Sequence, residues 1–397
     1  MGLRTAPKMY AEAMGRHDSA IVPARQQAGA VVGPACDTVR LGTALALAAE
    51  QTPAQGHAVI HNRQLFSSPS SSVSPLPRHL GGGASHSVLK APRRAYSLSE
   101  AYGYCEKMVQ TRHDSLPVAS RYLPEHKRHH VFAVYAFARA ADDFADEPEF
   151  QGQRQSALSD WEDELIRTFH GESDHPIFGA LRNTIEQCDL PITLFSDLLA
   201  GFRMDLAPRT FTTFEELRTY TRYVSEPLGE LIVRVFGHKE PARLAFARDL
   251  SAGWQLVSFM QNLGRDLLRG RVYLPIEDLH HFGVLPEGTR TAPASAHLLG
   301  ASARAWRDLL RFEVARARAL LERGRPLLDQ VGGELRFELL LTYYSGQALL
   351  DRIESLGDEI LRGRPTLSRT DRARVLARAA AKQVPQLYFR RTEEVVE

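Results

Sequence analysis

From about Tyr96 onward, apolar residues recur at three- and four-residue spacing. Val131, Val134, Tyr135 and Ala138 form one such stripe; Leu250, Trp254, Val257 and Met260-Gln261 form another. These are the periods of helices with a buried face. Alternating β-branched runs are scarce and Asn-Gly or Asp-Gly hairpin signals are nearly absent, so no sheet is expected. Breakers stand where helix ends are needed. Pro148 ends a helix after Glu147, Pro191 opens the next, and Pro117 and Pro124 bracket a short stretch. Thr213 followed by Glu216 predicts a capping box. The pattern predicts one large all-α domain over residues 95–385, with 386–397 a charged tail.

Residues 1–94 have a different texture. They are rich in Ala, Gly, Pro, Ser and Gln and poor in acids, with Ser67–Ser74 and Gly81-Gly82-Gly83 as extremes. Such a segment has too little apolar surface to offset its chain entropy and reads as disordered. Its scattered arginines also fit an amphipathic targeting extension. A start codon set too far upstream is the third reading.

Composition narrows the classes. The chain has 397 residues, 44% apolar and 24% charged, as ordinary globular proteins do. A net charge of +2 gives no global basis for a nucleic-acid partner. Cys36, Cys105 and Cys188 are far apart and odd in number, which argues against a disulfide framework or a thiolate metal site. A cytoplasmic location is expected on that ground. No apolar run reaches the roughly 20 residues of a membrane-spanning helix. The glycines at 81–83 follow no strand and open no helix, so no nicotinamide or flavin is expected.

Candidate chemistry lies in two segments. In the first, Tyr135 to Glu147, Asp142 and Asp146 stand four apart on a predicted helix and project from one face. Like charges at that spacing repel, and a shared divalent cation is one compensation. Mg²⁺ (or Mn²⁺) takes hard oxygen ligands, often one or two carboxylates plus phosphate oxygens. Arg139, one turn earlier, suits a forked pairing with a diphosphate. A solvated acidic helix end before Pro148 is the plainer alternative. In the second segment, Asn262 and Asp266 are again four apart, with Gln255 and Ser258 earlier on the helix and Arg269-Gly270-Arg271 and Tyr273 after it. Two such helices facing each other would hold metals from opposite walls and turn a diphosphate into a leaving group.

These segments resemble the paired aspartate motifs of the squalene and phytoene synthase family, the head-to-head isoprenoid synthases. The likeness runs from about Tyr96 to the Glu354–Ile360 region. Ser115 to Pro124 resembles the family's N-terminal substrate-contacting stretch, Phe202-Arg203-Met204-Asp205 its linker, and Tyr220 to Gly229 its cavity-facing Tyr helix. The Leu-Pro-Val-Ala-Ser stretch and the Phe-Ala-Arg-Ala-Ala-Asp-Asp form are most similar to the bacterial HpnC branch. That branch converts presqualene diphosphate to hydroxysqualene in hopanoid biosynthesis.

The resemblance implies an isoprenoid synthase helical bundle with a central apolar cavity. It implies Asp142, Asp146, Asn262 and Asp266 as Mg²⁺ ligands, and Tyr135, Arg139, Gln255, Ser115, Arg271 and Tyr273 as substrate contacts. Tyr220 would stand beside the developing carbocation, where an aromatic ring stabilises a cation without quenching it. A prenyl diphosphate is the implied partner, with hand-off to other squalene-pathway enzymes left open. One departure stands out. The family usually has Asp where this chain has Asn262, and Asn where it has Ser258. One carboxylate fewer favours ionising a single diphosphate, hence the presqualene-to-hydroxysqualene step. The rival reactions are condensation of two prenyl diphosphates to presqualene diphosphate, squalene or phytoene. A catalytically impaired prenyl-lipid-binding relative is the rival from another class.

Other signals read as structural. His129-His130 and His280-His281 are adjacent and point apart on a helix, so neither pair makes a chelate. His113-Asp114 lacks further ligands. Cys105 and Cys188 read as buried small hydrophobes. The basic run Arg304–Arg325 reads as a solvated face over a core stripe, with peripheral contact to anionic lipid headgroups as the alternative.

Overall fold

The structure, a computed structural model, describes residues 94–111, 123–171, 173–207, 209–286, 298 and 300–393, with backbone alone at 111 and 384–393. The extension 1–93, Cys36, the stretch holding His113, Ser115 and Pro117, and residues 394–397 lie outside the described residues. The expected tail from 386 falls in the last helix as far as Glu393.

Among the described residues all regular structure is helical. The helices are α1 (Leu98–Thr111), α2 (Glu125–Asp146), α3 (Arg154–Phe169), α4 (Pro176–Cys188), α5 (Ile192–Met204), α6 (Phe214–Val224) and α7 (Glu226–Val235). They continue with α8 (Pro241–Leu268), α9 (Ile276–His281), α10 (Ala303–Gly324), α11 (Leu327–Gln330), α12 (Gly333–Leu356) and α13 (Arg369–Glu393). The one β feature among them is an isolated bridge between Phe211 and Pro275.

Two helices organise the rest. In α2 every residue from His130 to Asp146 is buried, which makes it a central helix rather than a surface one. Ala133, Ala136, Ala138, Ala140, Ala141 and Ala145 let neighbours approach it on all sides. It ends where Glu147 turns extended before Pro148, as a residue preceding proline prefers. The second, α8, starts with Pro241 in its first turn and is buried from Leu250 to Gly264. Close approach here uses glycine. A Cβ on Gly264 would overlap the Leu361 carbonyl, and one on Gly253 would lie 2.9 Å from the Leu321 nitrogen.

The core has two lobes. One gathers α1, α3, α4 and α5 around α2; the other gathers α10 and α12 around α8. Between them α7 packs on both α2 and α8, with Ile232 and Phe236 touching both lobes.

Local expectations hold with one adjustment. The Thr213 hydroxyl caps α6 by accepting from the Glu216 nitrogen at 3.3 Å. The Glu216 carboxylate accepts from the Thr212 nitrogen at 2.6 Å, one residue before the cap, so the reciprocal half of the box is shifted. Cys105 and Cys188 are buried free thiols. In α10, Trp306, Leu309, Val314, Ala317 and Leu321 form the core stripe. Its arginines engage acids: Arg318 with Asp351 at 2.9 Å, Arg323 with Asp249 at 2.8 Å, and Arg316 with Asp278 and Glu313. No described helix is long and apolar enough to cross a membrane.

Candidate active site

The C-terminal third of α2 carries an acidic wall. Asp142 is fully buried, Asp143 is 1% exposed and Asp146 7%. Arg139 binds this wall from its own helix. Its Nη1 lies 3.3 Å from Asp142 Oδ2, its Nη2 2.8 Å from Asp143 Oδ1, and its Nε donates to the same oxygen at 2.9 Å. One guanidinium held between two of three buried carboxylates offsets part of their repulsion. Such a cluster gains from further positive charge, since a buried carboxylate is costly until it is neutralised.

A second set of buried oxygen-bearing side chains lies in the C-terminal half of α8, where Gln255, Ser258, Asn262 and Asp266 are all buried. Asn262 donates from Nδ2 to Ser258 Oγ at 3.4 Å. Past the helix, the Arg269 and Arg271 nitrogens both donate to the Asp266 carbonyl, at 3.0 and 2.9 Å. Gly270 makes this fold-back possible with φ 73°, a left-handed turn that glycine adopts at little cost. The basic turn is thereby tied to Asp266. A second strap crosses α8 from beyond α12: Gln261 donates to the Pro365 carbonyl at 2.7 Å and accepts from Arg364 at 3.3 Å.

Between the same helices lies an apolar cavity, partly open to solvent. Val131 and Tyr135 of α2, Gly229 and Ile232 of α7, Ser251 and Trp254 of α8, and Leu335, Glu338 and Leu339 of α12 contribute to its lining. Tyr135 precedes Asp142 by about 10 Å of helix rise, and Trp254 precedes Asn262 by about 12 Å. One end of the α2–α8 pair is therefore acidic and the other apolar. Trp254 is fixed by donating to the Thr342 carbonyl at 3.0 Å.

A wall of stacked rings stands against α8. Phe259 and Tyr273 are parallel with centroids 4.4 Å apart, and Tyr220 lies about 6 Å from both. Phe211 completes it, 5.2 Å from Tyr220. The Tyr220 hydroxyl donates to Asp205 Oδ1 at 2.6 Å, which orients the ring. Tyr273 thus sits in the ring wall beside Tyr220.

The structure brings Asp142, Asp146 and Arg139 together on one wall and Gln255, Asn262 and Asp266 on the other. It places Tyr135 in the cavity lining. Sequence reasoning gave no role to Asp143, Asp205, Phe211, Phe259 or Glu338. Asp143 was visible as half of an Asp-Asp pair, and Glu338 as the one acid within Leu335–Leu341; nothing local marks the aromatic partners. The adjacent histidines do meet: His129 and His130 approach to 3.2 Å at Nε2, beside Tyr102 and Thr184. Burial pushes His130 down to about 4, so it stays neutral in a structural network.

Among the described residues no three His, Cys, Asp or Glu side chains converge as a metal cluster. The donors present are pairs of hard oxygens on separate walls. That set fits Mg²⁺ completed by substrate oxygens and water, and does not fit a zinc or thiolate site.

Comparison with known proteins agrees with this architecture. The squalene/phytoene synthase family matches residues 109–371. The phytoene synthase of Arthrospira platensis is 28% identical over 277 residues, covering 64% of this chain and 84% of that protein. The 15-cis-phytoene synthase of Synechococcus elongatus is 29% identical, covering 69% and 90%. The crystal structure of squalene synthase HpnC from Alicyclobacillus acidocaldarius is 34% identical with a TM-score of 0.60, covering 70% of this chain and 99% of that one. Two helices that carry buried oxygen pairs, an apolar cavity lined by both and a family match over residues 109–371 lead to one conclusion: the chain belongs to the squalene/phytoene synthase family of isoprenoid synthases.

Proposed function

We propose that the protein converts presqualene diphosphate to hydroxysqualene with release of diphosphate. The observation that carries this reading is the unequal pair of buried oxygen sets: Asp142, Asp143 and Asp146 on α2, but only Asn262 and Asp266 on α8. A wall with one carboxylate suits a single diphosphate better than two. The 34% identity to squalene synthase HpnC across 99% of that chain supports the same branch.

Asp142 and Asp146 on one side, and Asp266 with the Asn262 carbonyl on the other, would hold Mg²⁺. The bound cation supplies charge neutralisation for the leaving diphosphate. Arg139 and the Arg269–Arg271 turn add donors that favour the departing anion. The cavity takes the prenyl tails, and its apolar lining keeps bulk water from the carbocation. The ring of Tyr220, whose hydroxyl is held by Asp205, would offer its electron-rich face to that cation. Neither step draws on a redox cofactor.

A second reading is condensation of two prenyl diphosphates, and the two phytoene synthases are what favours it. Purified protein is given presqualene diphosphate or farnesyl diphosphate, with and without Mg²⁺, and the extracted lipids are weighed by mass spectrometry. Metal-dependent release from presqualene diphosphate with an alcohol product is the expected result. Release from farnesyl diphosphate with a condensed product would move the protein to the second reading.

A further inference from the structure

Glu338 is the residue of the cavity that the chemistry above leaves unused. It sits on α12 and is 5% exposed. It lines the apolar cavity with Tyr135, Ser251, Trp254 and Leu339. Neither of its carboxylate oxygens makes a hydrogen bond. Burial alone raises its pKa well above the ordinary range, so the group is held neutral. Leucine would fill the same space without a desolvated carboxyl, and its neighbours Leu335 and Leu339 show that the helix accepts leucine there.

A neutral carboxyl in an apolar cavity is a water-holding group. It donates through its hydroxyl and accepts at its carbonyl oxygen, and neither oxygen is engaged by a protein group. Ser251 and Thr342 line the same cavity, with Thr342 Oγ1 donating to the main-chain carbonyl of Glu338 at 3.0 Å rather than to its carboxyl. An otherwise greasy cavity therefore has one polar corner.

We propose that Glu338 holds a water molecule inside the cavity, and that this water captures the carbocation left when diphosphate departs. The inference rests on the hydroxysqualene-forming reading and adds to it the source of the hydroxyl. The bond from carbon to the bridging diphosphate oxygen breaks, and its electron pair stays on the diphosphate. A lone pair of the held water forms the new carbon–oxygen bond. That oxygen then loses one proton, whose final acceptor is the released diphosphate, the strongest base the reaction generates. The products are the alcohol and a singly protonated diphosphate, and Glu338 starts and ends neutral. Where this water is absent, the cation loses a proton from carbon instead and leaves as a hydrocarbon.

The test compares the full chain with Glu338→Leu and Glu338→Gln, each given presqualene diphosphate and Mg²⁺ in ¹⁸O-labelled water. Diphosphate release is measured alongside the ratio of labelled alcohol to hydrocarbon. Release should stay within about 3-fold of the parent in both variants, since the acidic walls are untouched. The labelled-alcohol share should fall about 10-fold or more in Glu338→Leu. In Glu338→Gln, whose amide still binds water, it should fall only about 3-fold, so the conservative variant rescues most of the partition. An unchanged alcohol share in either variant overturns the inference while leaving the proposed reaction intact. Loss of diphosphate release in both overturns it too, because Glu338 would then serve folding or ionisation rather than capture. No release from presqualene diphosphate by the parent protein removes the reaction itself, and the inference with it.

Discussion

The two helices that carry the buried oxygen pairs are built from different materials. α2 is packed through alanines and carries three carboxylates, two of them held by Arg139 of the same helix. α8 is packed through glycines and carries Asn262 and Asp266, with its supports coming from distant chain: Leu361, Pro365 and the Arg269–Arg271 turn. The first wall is rich in charge and locally self-sufficient. The second is poor in charge and depends on what crosses it. The charge-rich wall should therefore dominate the chemistry, and the charge-poor wall should be the one sensitive to packing.

The sharpest test of that division is to remove one negative charge from each side. Asp146→Ala should lower diphosphate release by about 1,000-fold, at the upper end of what one preorganised charge contributes. Asp266→Asn keeps an oxygen at the same place and should cost about 100-fold. Both are read as initial rates at saturating Mg²⁺, with circular dichroism melts to show the variants are folded. Equal losses on the two sides would mean the walls share the charge evenly, and the asymmetry would have no functional weight.

Packing gives the opposite ranking. Gly264→Ala places a methyl group against the Leu361 carbonyl, which is backbone and cannot swing aside. It should destabilise the protein by about 1–3 kcal/mol, the usual cost of overpacking. Ala141→Gly on α2 removes a methyl and adds chain entropy, and should cost only about 1 kcal/mol. Urea titrations of the two variants measure the difference. A neutral Gly264→Ala would show that the strap over α8 yields freely, and the contrast between the helices would fall.

The ring wall lies between these extremes. Tyr220→Phe keeps the stack with Phe211, Phe259 and Tyr273 but removes the bond to Asp205, leaving a buried carboxylate with less to accept. Turnover should fall by about 10-fold, in line with 1.4 kcal/mol from one charged hydrogen bond. A loss as large as that of Asp146→Ala would mean the phenol oxygen itself takes part in the chemistry.

Much of this was legible before the structure, for physical reasons that differ by region. The helical class followed from the 3.6 period. The i,i+4 spacing put Asp142 with Asp146, and Asn262 with Asp266, on one helix face each, and the resemblance to the family gave those pairs their expected role. Asp205, Phe211 and Phe259 were not found, because their meaning arises only when three separate helices and a loop bring them to Tyr220. Glu338 was missed for the reverse reason: a single acid in a leucine-rich helix looks like its exposed edge until burial shows otherwise. The shifted capping box at Thr212 is a case of the right residues with a partner one position away.

The smallest expected change in rate comes from restoring the charge α8 lacks. Asn262→Asp sets two carboxylates four residues apart on one helix, which by itself costs about 0.5 kcal/mol of repulsion. A divalent cation between the walls would repay that cost, so the half-saturating Mg²⁺ concentration should fall while turnover of presqualene diphosphate changes by about 3-fold or less. The informative readout is substrate scope. If Asn262 is what restricts the site to one diphosphate, the variant should begin to form presqualene diphosphate from farnesyl diphosphate, a product the parent chain would not make. If scope is unchanged but Mg²⁺ affinity rises, the residue sets metal affinity alone, and the choice of reaction must lie in the shape of the cavity between α2, α7, α8 and α12. If Mg²⁺ affinity is unchanged as well, Asn262 does not face the metal, and the α8 wall reduces to Asp266.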